Sequence, residues 1–469
     1  MKGTNPSVLL IYPRYQYRLA SSLEEPLGIL YVASALKSAG YGVDVIDLTF
    51  DRDLSRVVAS LEKQPSWVGM SVTSPLLDKA VEVLRFVRRQ APSTPVVMGG
   101  PHASAFPEGA LTCGFDFAMV GDGEGAAVAL TEGIERNDVR GVRGLVYRCA
   151  AEDRIRQNPP SHTRALDSLP FPDRSYLDYR KYEKVGCITT RGCPYNCLYC
   201  KPMQDKLFGR KIRRRSPENV VREIEGFYRT LGRRMVHFRD DTMTISGSEW
   251  FSTFERLLRE RIPGGIRFQC NSRVDQITEE KLVLMKKAGC CQIFFGVESG
   301  SQRILDFYRK GTRPEQAVEA FRLCKKHKIQ TVAAIMLGAP VETVEDMKLT
   351  YRLVRRIRPD NWIVYTTTPF PGNYLYDYAL ENKLMRVSRS EEFDNAMNKR
   401  NGFMPLELKH ITPEDLRRYT NKIDRYMILY SLLRFRTLFK VVQRPRSAYY
   451  KGMNLLRLDR ILGRTRSAA

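Results

Sequence analysis

Residues 193–200 read Cys193-Pro194-Tyr195-Asn196-Cys197-Leu198-Tyr199-Cys200, three thiols spaced C-x₃-C-x₂-C directly behind Arg191-Gly192. Three thiolates this close can hold one iron–sulfur cube and leave its fourth iron open. An open iron lets a small molecule coordinate and receive an electron. The alternative, a structural zinc site, wants a fourth ligand and a second pair elsewhere. The remaining cysteines (113, 149, 187, 270, 290, 291 and 324) are scattered, with only Cys290-Cys291 adjacent.

Working outward, the thiol loop follows an apolar run, Val185–Thr189, which opens an alternating series. Strands are predicted at Met235–Phe238, Arg267–Cys270, Gln292–Val297, Thr331–Met336 and Trp362–Tyr365. Helical spacing fills the intervals at Pro217–Thr230, Ser248–Arg261, Glu279–Ala288, Pro314–His327 and Val344–Arg356. Such a series suits an open, partial (β/α)6 barrel with its active site at the carboxyl ends of the strands. The thiol loop falls at that end of the first strand. Beyond about residue 375 the pattern turns helical and increasingly basic.

Upstream, a second alternation runs from residue 7 to about 132. Ser7–Tyr12, Gly42–Ile46, Trp67–Val72, Pro95–Met98 and Phe115–Val120 read as buried strands, and Leu27–Ala39, Leu76–Arg89 and Glu124–Ile134 as helices. This implies a doubly wound, Rossmann-like parallel sheet with helices on both faces. Ligands of such sheets sit at the carboxyl ends of the strands. Here those ends carry Ser71 and Thr73, Gly99-Gly100-Pro101-His102, and Gly121-Asp122-Gly123-Glu124. Small residues there let backbone approach a flat or bulky ligand, though the same residues also suit plain strand-to-helix turns. The expected division is an N-terminal α/β domain over 1–135, a proline-rich linker over 136–184, the barrel over 185–375 and a helical basic region over 376–469.

The chain of 469 residues has 43% hydrophobic and 27% charged residues, ordinary for a globular protein. Lys and Arg number 76 against 52 Asp and Glu, a net charge of +24 that favours anionic partners. Ten cysteines are too few for a disulfide scaffold. With no apolar stretch long enough for a signal peptide or a spanning helix, the expected setting is a reducing cytoplasm. From Arg434 to Ala469 ten basic residues face one acidic residue, Asp459, with aromatic and aliphatic residues interleaved. That pattern suits either a segment lying on anionic lipid on the inner face of a membrane or a terminal helix pair packed on the barrel.

Residues 185–373 resemble the radical S-adenosylmethionine (SAM) superfamily, whose loop reads C-x₃-C-x-aromatic-C with Tyr199 as the aromatic. The resemblance extends in order through Phe238-Arg239-Asp240-Asp241, Cys270-Asn271-Ser272-Arg273, Gly296-Val297-Glu298-Ser299-Gly300, Met336-Leu337-Gly338-Ala339-Pro340 and Thr368-Pro369-Phe370-Pro371-Gly372. It implies a [4Fe–4S] cluster on Cys193, Cys197 and Cys200, SAM on the open iron, and SAM contacts from Tyr199, Arg273 and Glu298. Reductive cleavage of SAM would then give a 5′-deoxyadenosyl radical, the electron coming from a donor such as flavodoxin or ferredoxin.

A doubly wound domain in front resembles the cobalamin-binding branch of that superfamily. On this reading a corrin lies on Ser71, Thr73, Gly99, Gly100, His102, Gly121, Gly123 and Glu124. The D-x-H-x-x-G signature that ligates cobalt from below is absent, so no lower ligand is assigned. The branch implies modification of an unactivated carbon: C-methylation of a lipophilic biosynthetic intermediate first, cyclisation or rearrangement second. A non-catalytic iron–sulfur redox sensor is the alternative from another class. A methylthiotransferase is disfavoured because only Cys113 and Cys149 precede residue 187, and no RNA-binding module is visible.

Overall fold

The structure, a computed structural model, describes residues 7–13, 25–50, 53–149, 152–182, 184–201, 203–386 and 406–433. Its first sheet is built from β1 (Ser7–Tyr12), β2 (Gly42–Asp47), β3 (Trp67–Ser71), β4 (Val96–Gly99) and β5 (Phe117–Met119), in the parallel order β2-β1-β3-β4-β5. The continuous apolar runs follow from burial on both faces. Along β1, Leu9 and Ile11 pack with Val57, Leu61 and Ala80, whereas Val8 and Leu10 pack with Leu30, Ala33 and Leu130. Chain order reverses between β1 and β3, which places the ligand crevice of such a sheet at their carboxyl ends.

Part of the stretch read as linker extends this sheet. β6 (Leu145–Cys149) and β7 (Arg154–Gln157) add antiparallel strands beyond β5. Their run is short and partly polar, which is why only Gly144–Arg148 shows as a strand in the sequence. Two short helices, Pro101–Ala105 and Pro107–Thr112, are likewise too brief for a periodicity signal.

The second sheet holds β8 (Val185–Cys187), then, after the ribbon strands β9 (Thr190–Arg191) and β10 (Arg213–Arg214), β11 (Met235–Phe238), β12 (Arg267–Arg273), β13 (Cys290–Glu298), β14 (Gln330–Leu337) and β15 (Asn361–Thr366). Its order is β15-β14-β13-β12-β11-β8, all parallel, an open barrel sector. The helices Pro217–Leu231, Ser248–Arg261, Glu279–Lys287, Pro314–Lys326 and Val344–Ile357 cover its outer face. The run Val185–Thr189 is cut short because the buried Asp240 carboxylate takes the N–H groups of Thr189 and Thr190. The chain therefore leaves the β8–β11 ladder, and β9 pairs antiparallel with β10 instead.

Where the two sheets meet, Glu25 accepts from Gly186 N–H at 2.7 Å and from the Tyr179 hydroxyl. Arg174 bridges Glu25 (3.6 Å) and Glu223 (2.8 Å), and Arg215 lies 2.5 Å from Glu223. All four ionic side chains are buried. Such clusters add little net stability but fix which surfaces meet, since a lone charge left inside is costly. Further on, the helix Pro413–Leu433 lies along β15, with the Trp362 indole donating to Asp424 at 2.7 Å. The basic stretch 434–469, expected to meet lipid or pack on the barrel, lies outside the described residues. Among the described residues no helix is long and apolar enough to cross a membrane.

Candidate active site

The thiol loop is shaped by backbone. Gly192 has φ +94°, and a Cβ there would stand 2.9 Å from the Lys211 carbonyl oxygen, so only glycine lets β9 turn into the loop. Past the turn, the loop is pinned by distant elements. Leu198 N–H donates to Tyr308 C=O (2.9 Å), Leu375 N–H to Leu198 C=O (3.0 Å), and the Asn373 side-chain amide to Tyr199 C=O (3.0 Å). Lys201 Nζ donates back to Cys193 C=O at 2.9 Å. Residues 373–375, behind β15, thus hold the loop that follows the first barrel strand.

Around the thiols stands a ring of charges. Arg273, at the end of β12, has Nη1 3.8 Å from Cys197 Sγ and its guanidinium 3.6 Å from the centre of the Tyr195 ring. It is fixed by Asp275 (2.8 and 3.0 Å) and by Lys310 C=O (2.7 Å). Glu298 ends β13 with φ +61°, a conformation a non-glycine residue holds only where its surroundings enforce it. Its Oε1 accepts from Lys310 Nζ at 2.8 Å and from the Tyr199 hydroxyl at 3.1 Å, and Lys310 Nζ is 3.1 Å from that same hydroxyl. So Tyr199, Arg273 and Glu298, named from the sequence, come together, and Lys310 joins them. Nothing in sequence spacing marks Lys310: it follows a short helix and reaches the site only through the barrel's topology.

Burial raises the Cys193 and Cys200 thiols above the usual range, while Lys201 and Lys310 respectively oppose that shift. Burial, reinforced by Asp240, pushes Asp241 up to about 6. Among the described residues no three metal-ligating side chains converge on one point. Thiolates that each bind a different iron of a cube stand wider apart than ligands sharing one ion. Three thiols on one backbone-pinned loop, with Arg273, Lys310 and Lys201 beside them to offset an anionic cluster, fit a [4Fe–4S] group.

The carboxyl edge of the first sheet is built differently. At Gly99 an added Cβ would meet nothing nearer than 3.8 Å, and at Gly28, opening the first helix, nothing within 4 Å. The protein's own packing does not require glycine there, which is what a cradle for a broad ligand looks like. Gly121 is different: φ is +98° and a Cβ would stand 2.2 Å from Ser161 C=O, so the chain itself demands it. Gly123 is likewise held by close packing, on Val32. His102 is buried, its Nδ1 3.0 Å from Ser74 Oγ, and burial lowers its pKa to about 4. Ser71 and Thr73 flank Val72, whose carbonyl accepts from His102 N–H (2.9 Å). Glu124 is engaged elsewhere: Arg191 takes both carboxylate oxygens, at 2.5 and 3.1 Å. Gly28 and Gly99, left open by the protein's own packing, fit a corrin better than the charged side chains do.

Comparison with known proteins agrees with this two-domain fold. The radical SAM superfamily model matches residues 187–354 and the B12 binding domain model residues 20–131. The anaerobic magnesium-protoporphyrin IX monomethyl ester cyclase of Rubrivivax gelatinosus is 30% identical, over 82% of this chain and 74% of that protein. An uncharacterized methyltransferase of Pyrococcus horikoshii is 28% identical, over 88% and 91%. The fold is shared with the radical SAM methyltransferase TsrM of Kitasatospora setae, solved with cobalamin and a [4Fe–4S] cluster, at a TM-score of 0.69 and 21% identity over 81% and 75%. The chain is an enzyme of the radical SAM superfamily, in the branch that carries an N-terminal cobalamin-binding domain.

Proposed function

We propose that this enzyme methylates an unactivated carbon of a lipophilic small molecule. The observation that carries this reading is the wall of the open barrel at β14 and β15. Along β15, Trp362 and Val364 pack on the barrel core, while the alternate residues Ile363 and Tyr365 are 39% and 47% exposed. In register beside them on β14 stand Ala334 and Met336, and next to Ala334 on β13 is Gly296. Strand alternation puts Ile363, Tyr365, Ala334 and Met336 on the face away from the helices. That apolar wall stands at the same strand ends as Glu298 and Lys310, and an apolar substrate would cover it.

When bound, the cluster and SAM supply the radical and the corrin carries the methyl group. The residues assigned to this chemistry divide the work. Cys193, Cys197 and Cys200 hold the cluster. Arg273 stands against Cys197 and balances its charge. Glu298 and Lys310, oppositely charged and buried together, are placed to receive the amino and carboxylate groups of SAM, while Tyr199 holds Glu298 in place. An acidic one-electron donor suits the basic surface, and a membrane surface suits a lipophilic substrate.

Cyclisation is the second reading, favoured by the relative named as a cyclase. Anaerobic incubation of the reconstituted enzyme with methyl-deuterated SAM and lipophilic extracts separates the two. Products that have gained a methyl group carrying three deuterium atoms support methylation. An unlabelled, ring-closed product, with 5′-deoxyadenosine still formed, overturns it in favour of cyclisation.

A further inference from the structure

We infer that Arg191, Asp122 and Glu124 form a clamp that sets the position of the thiol loop over the carboxyl edge of the first sheet. Arg191 precedes Cys193 by two residues, across the turn at Gly192. Its guanidinium reaches out of the barrel into the N-terminal domain. There it makes a two-pronged contact with Glu124 (2.5 and 3.1 Å), lies 3.0 Å from Asp122 and stacks over the Tyr31 ring at 5.3 Å. Asp122 also binds Arg213 of β10 and accepts from Thr163 N–H at 2.7 Å. Both strands of the ribbon flanking the thiol loop are therefore tied to a single turn, residues 121–124, at the carboxyl end of β5.

The arrangement is specific in a way that simple adhesion would not need. Arg191, Asp122 and Glu124 are all buried, with side chains 9%, 1% and 4% exposed. Apolar residues would join the domains as firmly, because buried ion pairs give little net stability. What a forked Arg–carboxylate pair adds is geometry, since sliding the two partners apart leaves a charge stranded in the interior. Group transfer between two bound cofactors depends steeply on their separation, and this pair ties the thiol loop to the sheet whose carboxyl edge would carry the corrin. Arg191, Asp122 and Glu124 are positioning residues on this account, which rests on the corrin reading of the first sheet.

The test uses the full-length protein with Glu124→Gln, and with Arg191→Lys, which keeps the charge but loses the fork, should the first variant not fold. Amide exchange in the cofactor-free protein is expected to quicken together at residues 121–124 and 190–192, by roughly tenfold or more, as breaking a buried pair implies. In protein reconstituted with iron and sulfide and loaded with hydroxocobalamin, corrin and iron contents should hold. The relaxation of the cob(II)alamin EPR signal by the reduced cluster should change. Unchanged relaxation, or exchange that quickens only at the substituted segment, would overturn the clamp. Lost corrin with unchanged exchange would also overturn it and make Glu124 a ligand-contacting residue. A wild-type protein that retains no corrin would sink the cobalamin reading by itself, and the exchange measurement would still decide the clamp.

Discussion

The two sheets share one construction, parallel strands with helices outside, yet their carboxyl edges are made of opposite materials. The barrel's edge is charged and thiol-bearing: Cys197 beside Arg273, and Glu298 with Lys310 and Tyr199. The first sheet's edge is mostly backbone and glycine, with its carboxylates, Asp122 and Glu124, already committed to Arg213 and Arg191. Small, highly charged groups are held by a few side chains of matching charge and donor type. A broad, rigid ring is held by shape, and shape is made by leaving side chains out. The comparison breaks if removing a thiol and filling a glycine have the same consequence.

The largest expected effect is at the barrel edge. On the proposed ligand set Cys197→Ala removes one of the three thiolates that would hold the cluster, and reconstituted iron should fall well below the wild-type content. Formation of 5′-deoxyadenosine should drop by about 10⁴-fold or more, because the cluster and SAM act as a unit. Corrin retention should be untouched. Iron and sulfide assays, product chromatography and the corrin spectrum after desalting check these together. A variant that still cleaves SAM at even a tenth of the wild-type rate would remove Cys197 from the ligand set.

The middle effect is at the sheet edge. An added Cβ at Gly99 meets only ordinary contacts, 3.8 Å from Met70 C=O and 4.0 Å from Met119 Cβ. Gly99→Ala should therefore leave folding within about 1 kcal/mol of wild type, the span of strand preferences. Retained hydroxocobalamin should nevertheless fall at least about tenfold, a loss that little more than 1 kcal/mol of binding energy produces. Unchanged retention in a stable variant would show that Gly99 is only a turn residue.

This contrast also explains what was legible in the sequence. The thiol spacing is local chemistry, so residues 193–200 declare themselves without any structure. Apolar periodicity likewise locates the helix Ser248–Arg261 and the strand β11 at their observed bounds. Glu124 looks like part of a ligand loop because a sequence cannot show that Arg191 will fold onto it. Lys310 is silent for the same reason, since its partners lie 111 and 12 positions away. Of the two strands in residues 145–157 only the first shows in the sequence; β7 stays hidden because its one ladder is to β6, which itself adds to β5 only once the sheet is assembled. Long-range ionic contacts carry no periodicity, and they join this protein's two halves.

The last effect, on stability alone, lies at that seam, where Glu25 meets Gly186, Tyr179 and Arg174. Burial raises the Glu25 carboxyl to about 7, against the lowering influence of Arg174 and the Gly186 N–H. The folded state then holds a proton that the unfolded chain releases near 4.5. Stability from this group is greatest below that value, falls as pH rises toward 7 and levels off above it. Glu342, also raised to about 7, acts in the same sense. His102 and His237, both lowered to about 4, act in the opposite sense below about 6.5. Comparing wild type with Glu25→Gln cancels those other groups, because they titrate in both proteins. The glutamine keeps an acceptor for Gly186 and stays neutral at every pH. Its stability relative to wild type should therefore improve by about 1–3 kcal/mol between pH 5 and 7.5, measured as the shift in urea midpoint. Parallel curves would mean that Glu25 is ionised throughout, with Arg174 outweighing burial, and the seam would then be held by a full ion pair.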